Sequence, residues 1–263
     1  MPEASAAAGG ITDVDILQFA LTAEHLESAF YEQGFQMFPA SDFMALGLNE
    51  ADIAALQKVG ETEATHVSLL LSAIAGAGFQ PVAPCEYDFG FTDAAAMVQT
   101  AGVLEAVGVA AYLGAAPLVT DPAILSTAAS IVTVEGRHQT FIRSAQGVEP
   151  IPGAFDTALG VRGVFTLASP FIVSCPEGSN LNIEAFPAIE LQNAANVVPG
   201  VELALAEPAI PEGAMFCAFM NQGGVLFEAI EGGSCVTPQQ LAGEVFMMFT
   251  SEKEIADDFV LAG

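Results

Sequence analysis

The sequence predicts an α+β fold, a four-helix bundle followed by a small antiparallel β domain. Three observations point there. From about residue 12 to residue 146, apolar residues recur at helical spacing and β-branched runs are few. After Pro150, prolines and glycines punctuate short apolar runs such as "FTLASPFIVSCP" and "GEVFMMFTS". Across the 263 residues, 52% are hydrophobic and only 14% charged, the balance of a chain with a substantial core rather than a disordered one.

Each element has its own signals. Residues 1–11, "MPEASAAAGGI", read as a small, flexible tail without the basic and apolar regions of a signal peptide. The bundle occupies 12–148. Its first helix, "TDVDILQFALTAEHLESAFYEQGF", starts at a Thr12 or Asp13 cap and stops at Gly34. The next segment, "QMFPASDFMALGL", exceeds what a hairpin needs and has room for a short helix. Asn49 caps the second long helix, and glycines close it. Residues 77–91, "AGFQPVAPCEYDFGF", can reach up to roughly 50 Å when extended, enough to run the length of a bundle. The third helix stops before Pro117. The fourth has Asp121 as cap, Pro122 in its first turn and Gly147 at its end. Helices of roughly 22–28 residues span roughly 33–42 Å. Residues 149–169 form a linker and packing segment, and 170–263 form the β domain, where "FMNQGGVLFEA" reads as two strands and a turn. That domain has no histidine and no evident catalytic constellation.

Charge narrows the partners. Thirty-two acidic residues oppose five basic ones, a formal net charge of −27. Nucleic acid and anionic membrane surfaces are repelled. Membrane insertion is not expected either, because the most apolar stretch, "AGVLEAVGVAAYLGAAPLV", is interrupted by Glu105. Cysteines 85, 175, 217 and 235 include no CxxC motif, against zinc-ribbon and thioredoxin chemistry. They are buried thiols or two disulfides in one of three pairings. Their turn-rich contexts favour disulfides and an oxidising compartment, with Cys217–Cys235 a candidate staple.

The four long helices carry a repeat. Glu24 stands seven residues before Tyr31, and Glu105 seven before Tyr112, so each Glu and Tyr share a helix face. The second and fourth helices carry Glu63-x-x-His66 and Glu135-x-x-His138, each followed at the same offset by Ser-Ala. The order Glu, Glu-x-x-His, Glu, Glu-x-x-His is a degenerate duplication of a helix pair. Glu105 lies in a nearly uncharged apolar helix, where an unpaired carboxylate costs several kcal/mol. Lys58, Arg137, Arg143, Arg162 and Lys253 are too few to neutralise many buried acids. Four carboxylates and two imidazoles instead match two divalent transition-metal ions, manganese or iron by their oxygen-rich ligation.

The neighbouring residues divide by role. Glu27 is a rival to Glu24, but in the repeat it aligns with Gly108, whereas Glu24 aligns with Glu105. That leaves Glu27 as an acid beside the ions, able to move protons. Tyr31 and Tyr112 are core aromatics that could also hydrogen-bond ligand carboxylates or shuttle electrons. His25 points about 100° away from Glu24 and reads as structural or at the surface. Arg137 and Arg143 read as helix-surface ion pairs.

These stretches resemble a known family. "LQFALTAEHLESAFY", "GETEATH", "APCEYDFGFTD", "GVLEAVGVAAYLGAA" and "IVTVEGRHQTFI" are similar to the ferritin-like family of plant desiccation-related and fungal stress-induced secreted proteins. "SPFIVSCP" and "GAMFCAF" resemble the C-terminal extension of fungal members. The resemblance implies a dimetal bundle with ligands at Glu24, Glu63, His66, Glu105, Glu135 and His138, and an extracellular location. It implies no settled reaction. The first functional reading is a redox enzyme acting on peroxide or dioxygen. The alternatives are ferroxidase or metal storage, which needs a homo-oligomeric cage, and a stress-protective protein whose metals only stabilise the bundle.

Overall fold

The computed structural model describes residues 10–179, 181–205 and 210–263. The tail predicted at 1–11 lies mostly outside these residues. Four long helices build the N-terminal half: α1 (Asp13–Met37), α3 (Glu50–Gly76), α4 (Ala94–Ala115) and α5 (Pro122–Ala145). The short α2 (Ala40–Ala45) fills the long first connection. The expected caps are present. Thr12 accepts from the Asp15 N–H while Asp15 accepts from the Thr12 N–H, and Asn49 and Asp52 repeat this box on α3. Asp121 caps α5 through its side chain as expected, and Asp93, which the sequence reading did not single out, caps α4 in the same way.

One boundary differs from expectation. α1 runs past Gly34 to Met37. Gly34 is not a stop signal: a Cβ there would lie 2.3 Å from Met97 Cε, so the glycine admits a side chain from α4. Met97 belongs to an aromatic-rich core with Phe30, Tyr31, Phe43 and Phe89. At the opposite end of the bundle, Leu17, Leu21, Leu70, Ile74 and Val82 form a second core.

The connection between α3 and α4 is pinned along its path. His25 Nε2 donates to the Val82 carbonyl at 3.2 Å, and the Val82 N–H donates to Gln18 Oε1 at 2.8 Å. Further along, β1 (Glu86–Tyr87) pairs antiparallel with β2 (Ile172–Ser174), and Cys85 is bonded to Cys175. By loop-closure entropy, a bridge across a separation of 90 residues stabilises by roughly 4–5 kcal/mol.

The linker and packing segment contains α6 (Val161–Ala168), a helix too short for its periodicity to stand out. α6 helps join the halves. Val164 packs with Phe19, Val107, Met220 and Met248 in a core shared by bundle and sheet. The sheet has the order β5-β4-β7-β8, formed by β4 (Phe216–Asn221), β5 (Gly224–Ala229), β7 (Phe246–Thr250) and β8 (Val260–Ala262), all antiparallel. The β4–β5 hairpin turns at Gln222 and Gly223, both at positive φ. β3 (Glu202–Leu203) pairs with β6 (Cys235–Val236), and Cys217–Cys235 ties β4 to β6.

Candidate metal centre

α4 is long and apolar enough to cross a bilayer, yet over half of its most apolar window is buried inside the protein. Glu105 sits within that helix, fully buried, in the middle of the bundle. Glu24, Glu63 and Glu135 project to the same place from α1, α3 and α5 and are equally buried. His66 and His138 join them, one helical turn after Glu63 and Glu135.

The six residues form two overlapping groups. Glu24, Glu63, His66 and Glu135 offer ligand atoms all within 4.8 Å of one another, and so do Glu63, Glu105, Glu135 and His138. Glu63 and Glu135 belong to both groups. Glu24 and His66 close one end, and Glu105 and His138 close the other. The two imidazole rings are 6.4 Å apart, centroid to centroid.

Protein groups alone cannot satisfy this cluster. His66 Nδ1 faces Glu24 Oε2 at 3.3 Å, Glu63 Oε2 at 3.1 Å and Glu135 Oε1 at 3.1 Å, although one nitrogen directs at most one proton. His138 Nδ1 is similarly crowded by Glu63 Oε1 at 2.9 Å and Glu105 Oε2 at 3.1 Å. Glu24 Oε2, Glu63 Oε1 and both Glu135 oxygens are buried with no well-directed donor. Burial pushes Glu24 and Glu135 up and raises Glu105 to about 8. Burial also opposes charge on the rings, but the surrounding carboxylates outweigh it and lift His66 to about 12 and His138 to about 10. Against its own burial, contact with the two rings holds Glu63 at about 2. Without a metal ion, protons would have to fill the positive role. Orphaned buried carboxylate oxygens beside imidazole nitrogens are a donor set that can hold metal ions.

The surroundings orient these groups. Thr62 Oγ1 donates to the Val59 carbonyl at 2.6 Å, so its oxygen is free to accept the His138 Nε2–H at 3.0 Å. With a metal ion in place, that tautomer would leave the His138 Nδ1 lone pair free to bind it. The tyrosines cross over: Tyr31 of α1 donates to Glu105 Oε1 of α4, and Tyr112 of α4 donates to Glu24 Oε1 of α1 at 2.5 Å. Each glutamate–tyrosine heptad thus serves the opposite helix, which spacing along one helix could not indicate. Glu27 lies beside the cluster, where a Cβ at residue 108 would sit 2.8 Å from its Oε1 and 3.2 Å from Glu135 Oε2. The repeat breaks at Gly108 because Glu27 fills the space.

The comparison with known families gives the same frame. The family described as the ferritin-like domain matches residues 12–148, more than half of the chain. The chain belongs to the ferritin-like domain family. The chain is also similar to Protein rds1 of Schizosaccharomyces pombe, 26% identical over 182 residues, which cover 68% of this chain and 44% of that protein. The chain therefore spans less than half the length of that relative. The ferritin-like domain holds all six clustered residues, and its buried acidic and histidine groups can form a metal site.

The other sequence expectations resolve plainly. His25 is buried and structural, not at the surface. Arg143 pairs with Glu244 and donates to the Glu149 carbonyl, tying α5 to the C-terminal half. Arg137 is exposed and has no ion pair among the described residues.

Proposed function

We propose that the bundle holds two divalent transition-metal ions, manganese or iron, and uses them for redox chemistry on peroxide or dioxygen. The observation that carries this reading is the sharing of Glu63 and Glu135 between two four-residue groups, since a shared carboxylate can bridge two ions through its two oxygens. Glu24 and His66 would complete one ion, and Glu105 and His138 the other. Four carboxylates balance two dications, so the buried site is near neutral when filled. Bound there, ions of variable oxidation state supply electrons and Lewis acidity to a small oxidant.

The chain's own groups prepare the site. Tyr31 and Tyr112 hold Glu105 and Glu24 in fixed rotamers. Glu27, whose carboxyl burial pushes well above the usual carboxylate range, stands beside the cluster as the acid that would move protons there. Two disulfides, Cys85–Cys175 and Cys217–Cys235, support an extracellular setting.

Elemental analysis of protein purified without chelator tests the reading. About two manganese or iron ions per chain are expected, with both lost in a Glu105→Ala, His138→Ala double variant. A metal-free wild-type protein with the same helical content would reject it. The metal found then selects between peroxide-consumption and oxygen-consumption assays.

A further inference from the structure

The metal cluster has an apolar approach. A cavity of about 310 Å³ lies at one end of the bundle, lined by the N-terminal halves of α1 and α5 and the C-terminal halves of α3 and α4. Its sides are mostly aliphatic, with Leu69 and Ala73 of α3 and Ile124 and Ala128 of α5 among them, and Phe19 and Thr127 besides. Leu69 is 42% exposed at the mouth, and Ile124 and Ala128 are only half-buried. The inner end is different: Glu27, Gly108 and Tyr112 line it, so the cavity reaches the edge of the carboxylate–histidine cluster. Glu27 is 4% exposed and has no hydrogen-bond or ion-pair partner among the described residues. A buried, unpartnered carboxyl at the floor of an otherwise apolar cavity marks where a ligand's single polar atom belongs.

Size and charge define the occupant. The cavity has about twice the volume of the roughly 150 Å³ cavity that admits benzene, so it suits on the order of a dozen carbon atoms. A charged end would be desolvated among aliphatic walls, and an anion would also meet the carboxylate cluster and the net charge of −27. We propose that this cavity admits and binds a neutral, mainly hydrocarbon molecule of about a dozen carbons bearing at most one hydroxyl or carbonyl oxygen, which the Glu27 carboxyl receives beside the metal cluster. Its meaning as a substrate site rests on the dimetal reading, but binding itself needs no metal.

Fluorescence titration with 1-naphthol, a neutral ten-carbon aromatic alcohol, tests this on the full chain, both as purified and after chelation. Saturable binding of one molecule per chain is expected in both forms. The anion 1-naphthoate should bind at least about tenfold more weakly. Ala128→Phe, which narrows the mouth two turns from Glu135, should weaken naphthol at least about tenfold with metal content unchanged. Ala129→Phe, on an exposed position of the same helix outside the cavity, should leave naphthol binding as in the wild type. Metal without naphthol binding would overturn the cavity proposal alone, and naphthol binding without metal would uphold it while removing the dimetal reading. Equal loss in both phenylalanine variants, or equal binding of naphthoate, would also overturn it. So would a dimer that binds no naphthol and dissociates in Ala128→Phe, because the cleft would then be a contact between copies.

Discussion

Tyr31 and Tyr112 donate to Glu105 and Glu24, the two carboxylates that each belong to only one of the overlapping groups. Removing either hydroxyl leaves a buried carboxylate less well oriented without changing the ligand count. Tyr112→Phe and Tyr31→Phe should each weaken metal binding by about 10–100-fold, measured by competition with a chelator of known affinity, while helical content stays constant. A change of less than about twofold in both would mean that the tyrosines serve packing alone. At this scale the site was largely legible in the sequence. The Glu-x-x-His spacing places Glu63 with His66 and Glu135 with His138 on one face of their own helices, and an i, i+3 relation survives folding unchanged. What spacing could not reveal was anything between helices. The crossed tyrosines, the sharing of Glu63 and Glu135, and the cavity that ends at Glu27 depend on how the helices face one another.

Helix ends were legible where a side chain closes the backbone locally. Thr12, Asn49 and Asp121 all accept from the first turn of the helix that follows. Gly34 misled because a glycine can answer to a neighbouring helix instead of to its own. α6 escaped notice because eight residues give periodicity little to act on. One inter-element tie has a pH signature. Asp13, at the start of α1, accepts from the Thr120 N–H at 2.7 Å, the Thr120 hydroxyl at 2.8 Å and the Asp121 N–H at 2.9 Å, at the entry to α5. The Thr120 backbone and side-chain hydrogen bonds hold its carboxyl below the ordinary value of 3.8. The folded-state pKa is depressed, so this tie contributes fully above 3.8 and is lost as pH falls through the lower folded value. In thermal unfolding, Asp13→Asn should therefore lie below the wild type at neutral pH, with the gap closing in acid. A gap that stays constant down to strong acid would mean that the ionised carboxylate contributes nothing.

On the scale of the molecule, an excess of 27 negative charges works against compactness, and the buried cluster concentrates four acidic groups within it. Screening should relieve the surface part of this repulsion. Raising monovalent salt from about 0.01 M to about 1 M shortens the Debye length from about 30 Å to about 3 Å and should raise the unfolding midpoint, whether or not metal is present. A midpoint independent of salt would mean that the acidic surface is spaced widely enough not to repel itself. The two halves of the bundle meet across the cluster, α1 and α3 on one side and α4 and α5 on the other. Each half brings one tyrosine, but that tyrosine fits only the other half's glutamate. A lone hairpin of this kind would be incomplete, and two separate hairpins would have to find each other by diffusion before either held a finished set of ligands. Joined in one chain by the disulfide-anchored crossover, they meet at an effective concentration in the millimolar range, fixed by chain length and independent of how dilute the protein becomes.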